Sequence, residues 1–215
     1  MFMQPFFIPH VGINYTKTKL LVLGESHYCG ELCNDCGLCG AHPECANFTS
    51  NVVNDYLNTN NEREGWMNTY LKFERSLVGH KTDINESRHI WDEVAFYNYL
   101  QVPMSAPRKA GTKAQYKAAE DAFFSVLESL KPRLMIVWGK RLWRHLPYTY
   151  WSDSNPLIVS PASQEHEDIG YYTLPNGHVV HALGVYHPSA GYDWSYWHDV
   201  IDAMRKRLTN KKYYD

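Results

Sequence analysis

Two sets of residues in this chain have the types and spacing to do chemistry. The first is a run of thiols, Cys29-x3-Cys33-x2-Cys36-x2-Cys39-x5-Cys45, which contains all five cysteines of the sequence. Two-residue gaps let neighbouring thiolates converge on one ion, and four thiolates at about 2.3 Å make a closed zinc site. Consecutive C-x2-C steps also occur in iron–sulfur proteins. His27 and His42 are spare nitrogen ligands. Zinc is the first expectation, an iron–sulfur cluster the second and an unmetallated loop the third. The second set is polar and follows apolar runs: Glu25, Ser26, His27 and Tyr28 after one, Asn98 at the end of another, His187, Pro188 and Ser189 after a third. Any one of these has a bland explanation, a helix cap or a bond to backbone. Three polar strand ends together suggest a pocket, because open α/β sheets bind ligands beyond the carboxyl ends of their strands.

The elements that must carry these residues are legible in the pattern. Lys19–Gly24, Val94–Tyr99, Arg133–Trp138 and Val179–Tyr186 are short apolar runs and read as buried parallel strands. Thr49–Leu57 reads as a helix capped by Thr49 or Ser50. Glu64–Val78 reads as a second helix. Tyr116, Ala119, Phe123, Val126, Leu127 and Leu130 recur at three- and four-residue steps and give a long helix that Pro132 stops. Gly139 turns the chain into a short helix through Leu146. Residues 147–177 show little periodicity. The last helix places Trp194, Trp197, Ile201, Met204 and Leu208 on one face. Strands alternating with helices predict a three-layer α/β/α sandwich with a mostly parallel central sheet. No linker or repeat divides residues 1–215, so one domain is expected, with a Cys-rich loop at 29–45.

With 44% hydrophobic and 20% charged residues, the composition is that of a folded core and excludes a disordered chain. The formal charge of −2 places any nucleic-acid-binding face in local clusters. Candidates are Lys109 with Lys113, then Lys140, Arg141 and Arg144, then Arg205, Lys206 and Arg207; an ordinary solvated face is the other reading of each. No run approaches the roughly 18 apolar residues of a membrane span, and Met1–Pro9 lacks the features of a secretory signal. The expectation is a cytoplasmic monomer without membrane contact, in which crowded cysteines suggest metal more than disulfides.

The order of these segments resembles the uracil-DNA glycosylase superfamily, closest in layout to its iron–sulfur branch. Leu23–Tyr28 (LGESHY) sits where that branch carries Gly-Glu-Ala-Pro-Gly after its first strand. Phe48, just before a helix, matches a phenylalanine there. Phe96–Pro103 (FYNYLQVP) is similar to a strand ending in Thr-Asn with a proline-containing loop. Tyr116–Gly139 follows the pattern of a long helix and a strand ending in Gly. His187-Pro188-Ser189 matches the final His-Pro-Ser before a helix.

The resemblance implies enzymes that extrude a nucleotide from DNA and cleave its N-glycosidic bond in base-excision repair. It implies that His187 stabilises the charge on the departing base. Asn98 reads the base edge, Phe48 stacks on it, and the backbone near Glu25–Ser26 contacts its carbonyl. Ser189 and Tyr28 complete the substrate site, Tyr28 standing for a tyrosine that excludes the methyl group of thymine. Glu25 or Ser26 positions the attacking water, and Tyr192, Trp194 and Tyr196 form a loop that either enters the DNA or packs.

The sequence also departs from the family. Ser26 stands where other members carry Asp or Asn, and His27 stands where they carry proline. Val102 and Ala119 lie where two cluster cysteines belong, so the family's cluster does not carry over. Two other readings follow. One is a catalytically inactive nucleic-acid or nucleotide binder of the same fold; the other is a nucleoside hydrolase-like enzyme.

Overall fold

A computed structural model describes residues 2–29, 43–60, 62–160 and 165–210. Its frame is four parallel strands: β2 (Leu20–Gly24), β3 (Val94–Asn98), β4 (Leu134–Trp138) and β9 (Val179–Val185). Every residue of β2, β3 and β4 is buried, which is what unbroken apolar runs require when both sheet faces are covered. The full sheet has seven strands among the described residues, in the order β1-β3-β2-β4-β9-β8-β5. Its outer strands are antiparallel: β1 (His10–Val11) beside β3 at one edge, β8 (Ile169–Thr173) and β5 (Trp151–Asp153) at the other.

Alternate side chains leave the sheet on opposite faces, and two cores result. On one face Leu20, Val22, Phe96, Ile136, Trp138 and Leu183 meet helices α2 (Phe48–Leu57), α3 (Met67–Val78), α4 (Ile84–Asp92) and α8 (Trp194–Thr209). On the other, Leu21, Leu23, Tyr97, Val137 and Ala182 meet α1 (Tyr15–Thr18), α5 (Lys113–Ala118), α6 (Glu120–Leu130) and α7 (Lys140–Trp143). The expected α/β class with a mostly parallel sheet and helices on both faces is present.

Local details differ from the expected pattern. The helix expected from Thr49 begins at Phe48 after Asn47, and Thr49 is fully buried instead of capping it. The long helix is two pieces separated at Ala119. Helix α4 had no apolar period long enough to announce it. A capping box starts it, with Asp83 accepting from the Glu86 N–H and the Glu86 side chain accepting from the Asp83 N–H. Residues 147–177, which show no period, supply β5, β8 and a separate two-stranded pair of β6 (Leu157–Ser160) and β7 (Glu165–Glu167). Strands of three to five residues hold too few alternations to be recognised.

Chain direction sets where a ligand can sit. From β2 the chain moves outward to β3, then returns past β2 to β4. The reversal lies between β2 and β4, the position at which open parallel sheets form a crevice. The register aligns Gly24 with Asn98 and Trp138 with Val185, so the loops that follow leave the sheet at a common level.

Candidate functional site

A cavity of about 980 Å³ opens at these strand ends. Glu25, Ser26 and Tyr28 line it from the β2 end, Asn98 from the β3 end, Phe48 from the start of α2, and His187 and Ser189 from beyond β9. Backbone bonds hold the first two segments side by side. Tyr99 N donates to Gly24 O (2.9 Å), Leu100 N to Glu25 O (2.9 Å) and Met104 N to His27 O (2.7 Å).

Asn98 is almost fully buried. A Cβ at Gly24 would lie 2.2 Å from Asn98 Oδ1, so a glycine at the end of β2 is what admits this amide. Asn98 Nδ2 lies 3.1 Å from the His27 ring nitrogens, and His27 Nε2 lies 2.9 Å from Thr49 Oγ1. One tautomer satisfies all three groups: Nε2–H donates to Thr49, and Nδ1 accepts from Asn98. Burial pushes the His27 pKa down to about 3, so the ring is neutral. His27 thus supports Asn98 from behind and leaves the amide its second N–H and its oxygen. Phe48 packs on His27 at 4.5 Å between ring centroids and is half-buried at the cavity wall.

His187 is arranged differently. Ser189 N donates to its Nδ1 (3.2 Å), and the Ser189 hydroxyl lies 2.8 Å from the same atom. A backbone N–H can only donate, so Nδ1 is the acceptor and the proton of the neutral ring sits on Nε2. Burial lowers the His187 pKa, and nearby Arg141 adds to this while Glu25 opposes it. The outcome is a neutral imidazole whose Nε2–H meets no partner among the described residues. Gly139, at φ 101°, passes beside the His187 Cβ, and no larger residue adopts that backbone readily.

Glu25 does not stand alone. Arg141 Nε donates to both carboxylate oxygens (2.8 and 3.0 Å), Arg141 Nη2 donates to Oε2, and the Tyr116 hydroxyl donates to Oε1. A carboxylate has about four acceptor positions, and these four contacts place two on each oxygen. Burial first, then the bond to Glu25, raises the Tyr116 pKa.

No protein-family model matches the chain, and no curated protein does.

The remaining candidates fall in several places. Tyr28 is 44% exposed at the rim. Tyr192 packs: it is buried, stacks on Trp197 at 5.8 Å and bonds Ser76 Oγ at 2.7 Å. Tyr196 bonds Glu167 (3.1 Å) and Trp194 packs against the core. In the C-terminal basic run, Arg205 is turned inward onto Leu77 O and Lys206 pairs with Asp202. Cys33, Cys36, Cys39 and His42 lie outside the described residues. Cys29 and Cys45 are half-buried, and among the described residues no group of three or more His, Cys, Asp or Glu is placed to hold a metal. No helix among them is long and apolar enough to cross a membrane.

Sequence reasoning missed Arg141, Tyr116 and Thr49 as partners. In the sequence Arg141 stands only as part of a basic cluster. Thr49 and Tyr116 carried helix signals that hid their polar contacts.

Proposed function

We propose that the chain has the uracil-DNA glycosylase fold and that its cavity takes an altered base, uracil first, out of DNA and hydrolyses its N-glycosidic bond. The observation that carries this reading is His187: Ser189 occupies Nδ1, burial keeps the ring neutral, and the free Nε2–H belongs to a residue that lines the same cavity as Asn98 and Phe48. When the C1′–N bond breaks, its electron pair leaves with the base. A fixed N–H at the base carbonyl stabilises that charge without reorganisation. Water forms the new bond to C1′ and its proton passes to a base or to solvent. Glu25 and Ser26, side by side on the cavity wall, orient that water. Asn98 reads the base edge through its free N–H and oxygen.

The pairing of Glu25 with Arg141 favours a second reading, a binder of the same fold without the chemistry, because both carboxylate oxygens already accept from Arg141 or Tyr116. Uracil-containing single- and double-stranded oligonucleotides, incubated with the protein and treated with alkali, separate the two. Strand cleavage that disappears in His187→Ala supports the glycosylase. Binding without cleavage supports the second reading, and neither overturns both. We also propose a structural zinc ion on the cysteine cluster; elemental analysis without stoichiometric zinc or iron ends that idea.

A further inference from the structure

The cavity differs in sign from the protein around it. The chain carries a formal charge of −2, yet among the described residues the lining holds Lys72, Arg108, Lys109, Lys140 and Arg141 against one carboxylate, that of Glu25. A cleft with one sign of charge and low-dielectric walls concentrates its field on ligands of the opposite sign. Three of the five cations are already engaged, Arg141 with Glu25 among them. Lys140 Nζ donates to Glu167 Oε2 (2.7 Å) and Gly184 O (2.8 Å), and Lys109 Nζ to Ser105 Oγ (2.8 Å).

Arg141 is fixed and still has donors to give. A guanidinium has five N–H bonds. The Nε–H and one on Nη2 meet Glu25, and one on Nη1 meets Arg108 O at 3.2 Å. Two remain, one on each terminal nitrogen, and both are charged donors of the kind that bind phosphate oxygens. The side chain is 42% exposed, while Glu25 behind it is 11% exposed. The support continues inward: Tyr116 donates to Glu25 and stacks on His145 at 4.1 Å, and His145 Nδ1 bonds Arg141 O at 2.8 Å. Arg108 meets Arg141 through its own carbonyl and holds a left-handed backbone, φ 64°, unusual for a residue with a side chain. Its exposed side chain is in no ion pair among the described residues.

We infer that Arg141, with Arg108 beside it, binds a phosphate group of the ligand, and that Glu25 is the residue that positions Arg141 for it. This rests on the reading of the cavity as a nucleobase site. It makes the ligand a phosphate-bearing strand or nucleotide and sets aside the free nucleoside.

The test is binding of a fluorescent uracil-containing single strand at a series of salt concentrations, on a His187→Ala background that leaves the strand uncleaved. Arg141→Ala lowers affinity about tenfold or more and reduces the slope of log affinity against log salt by about one, the signature of one lost phosphate contact. Arg141→Lys keeps the slope and loses affinity, because an ammonium lacks the planar donor set of a guanidinium. Glu25→Gln lowers both without touching the charge of Arg141, and an unchanged slope in it overturns the positioning role. Circular dichroism checks that each variant is folded.

Competition by deoxyuridine monophosphate, compared with deoxyuridine, distinguishes the two phosphate sources. A nucleotide advantage that Arg141→Ala removes assigns the site to a free monoester, and competition by strands alone assigns it to a backbone diester. An Arg141→Ala protein that binds strand with unchanged affinity and slope overturns the inference and leaves the base pocket standing. A parent protein that binds neither strand nor nucleotide overturns both.

Discussion

His27 and His187 follow two strands of one sheet, line one cavity, and are held neutral by burial. They differ in what remains of their hydrogen bonding. His27 is 4% exposed and has both nitrogens engaged by protein, Thr49 and Asn98. Among the described residues His187 meets a hydrogen-bond partner only at Nδ1, through Ser189, and keeps Nε2–H. The first ring is a strut for an amide; the second is a donor in search of an acceptor. Residue type and strand-end position made the two equal in the sequence. Counting donors and acceptors separates them, and the same count turns Glu25 from a free carboxylate into the partner of Arg141.

The contrast can be broken most forcefully at His27. Replacing it with alanine leaves a cavity and strips Asn98 and Thr49 of a partner, so we expect a loss of about 3 kcal/mol or more in urea unfolding. A loss below 1 kcal/mol ends the strut reading. Acid acts on the same residue. The folded pKa of His27 is about 3 against about 6.5 unfolded, so the unfolded chain takes up the proton first as pH falls. The contribution of His27 is therefore intact above pH 6.5 and erodes below it, by about 3 kcal/mol at pH 4. Unfolding curves across this range should be steeper in pH for the parent than for His27→Phe, with His181, also lowered, adding a slope of the same sign to both.

At His187 the expectation is reversed. His187→Ala should slow base release on the order of a hundredfold while shifting stability by less than about 1 kcal/mol. A large stability loss with unchanged cleavage reassigns it as structural. Ser189→Ala sharpens the comparison with the smallest effect. It removes the hydroxyl but leaves the backbone N–H on Nδ1, so the rate should fall by about tenfold or less.

Much of the frame was legible because burial on both sheet faces forces unbroken apolar runs. Leu20–Gly24, Val94–Asn98, Leu134–Trp138 and Val179–Val185 are strands within a residue of their expected limits. Gly24 and Asn98 were visible as strand-end residues, but their mutual requirement was not, since it depends on Asn98 Oδ1 lying 2.2 Å from where a Cβ at Gly24 would sit. Residues 147–177 were illegible because their strands are only three to five residues long and hold too few alternations to show a period.

Sequence alone determined that polar groups stand at the ends of three buried strands, because hydrophobic runs and their punctuation are local properties of the chain. Only the tertiary structure decided which of those groups are spent on each other and which keep a hydrogen bond to offer. Arg141 lies 116 positions from Glu25 and Asn98 lies 71 from His27, and no local pattern encodes a bond between residues that folding alone brings into hydrogen-bonding distance.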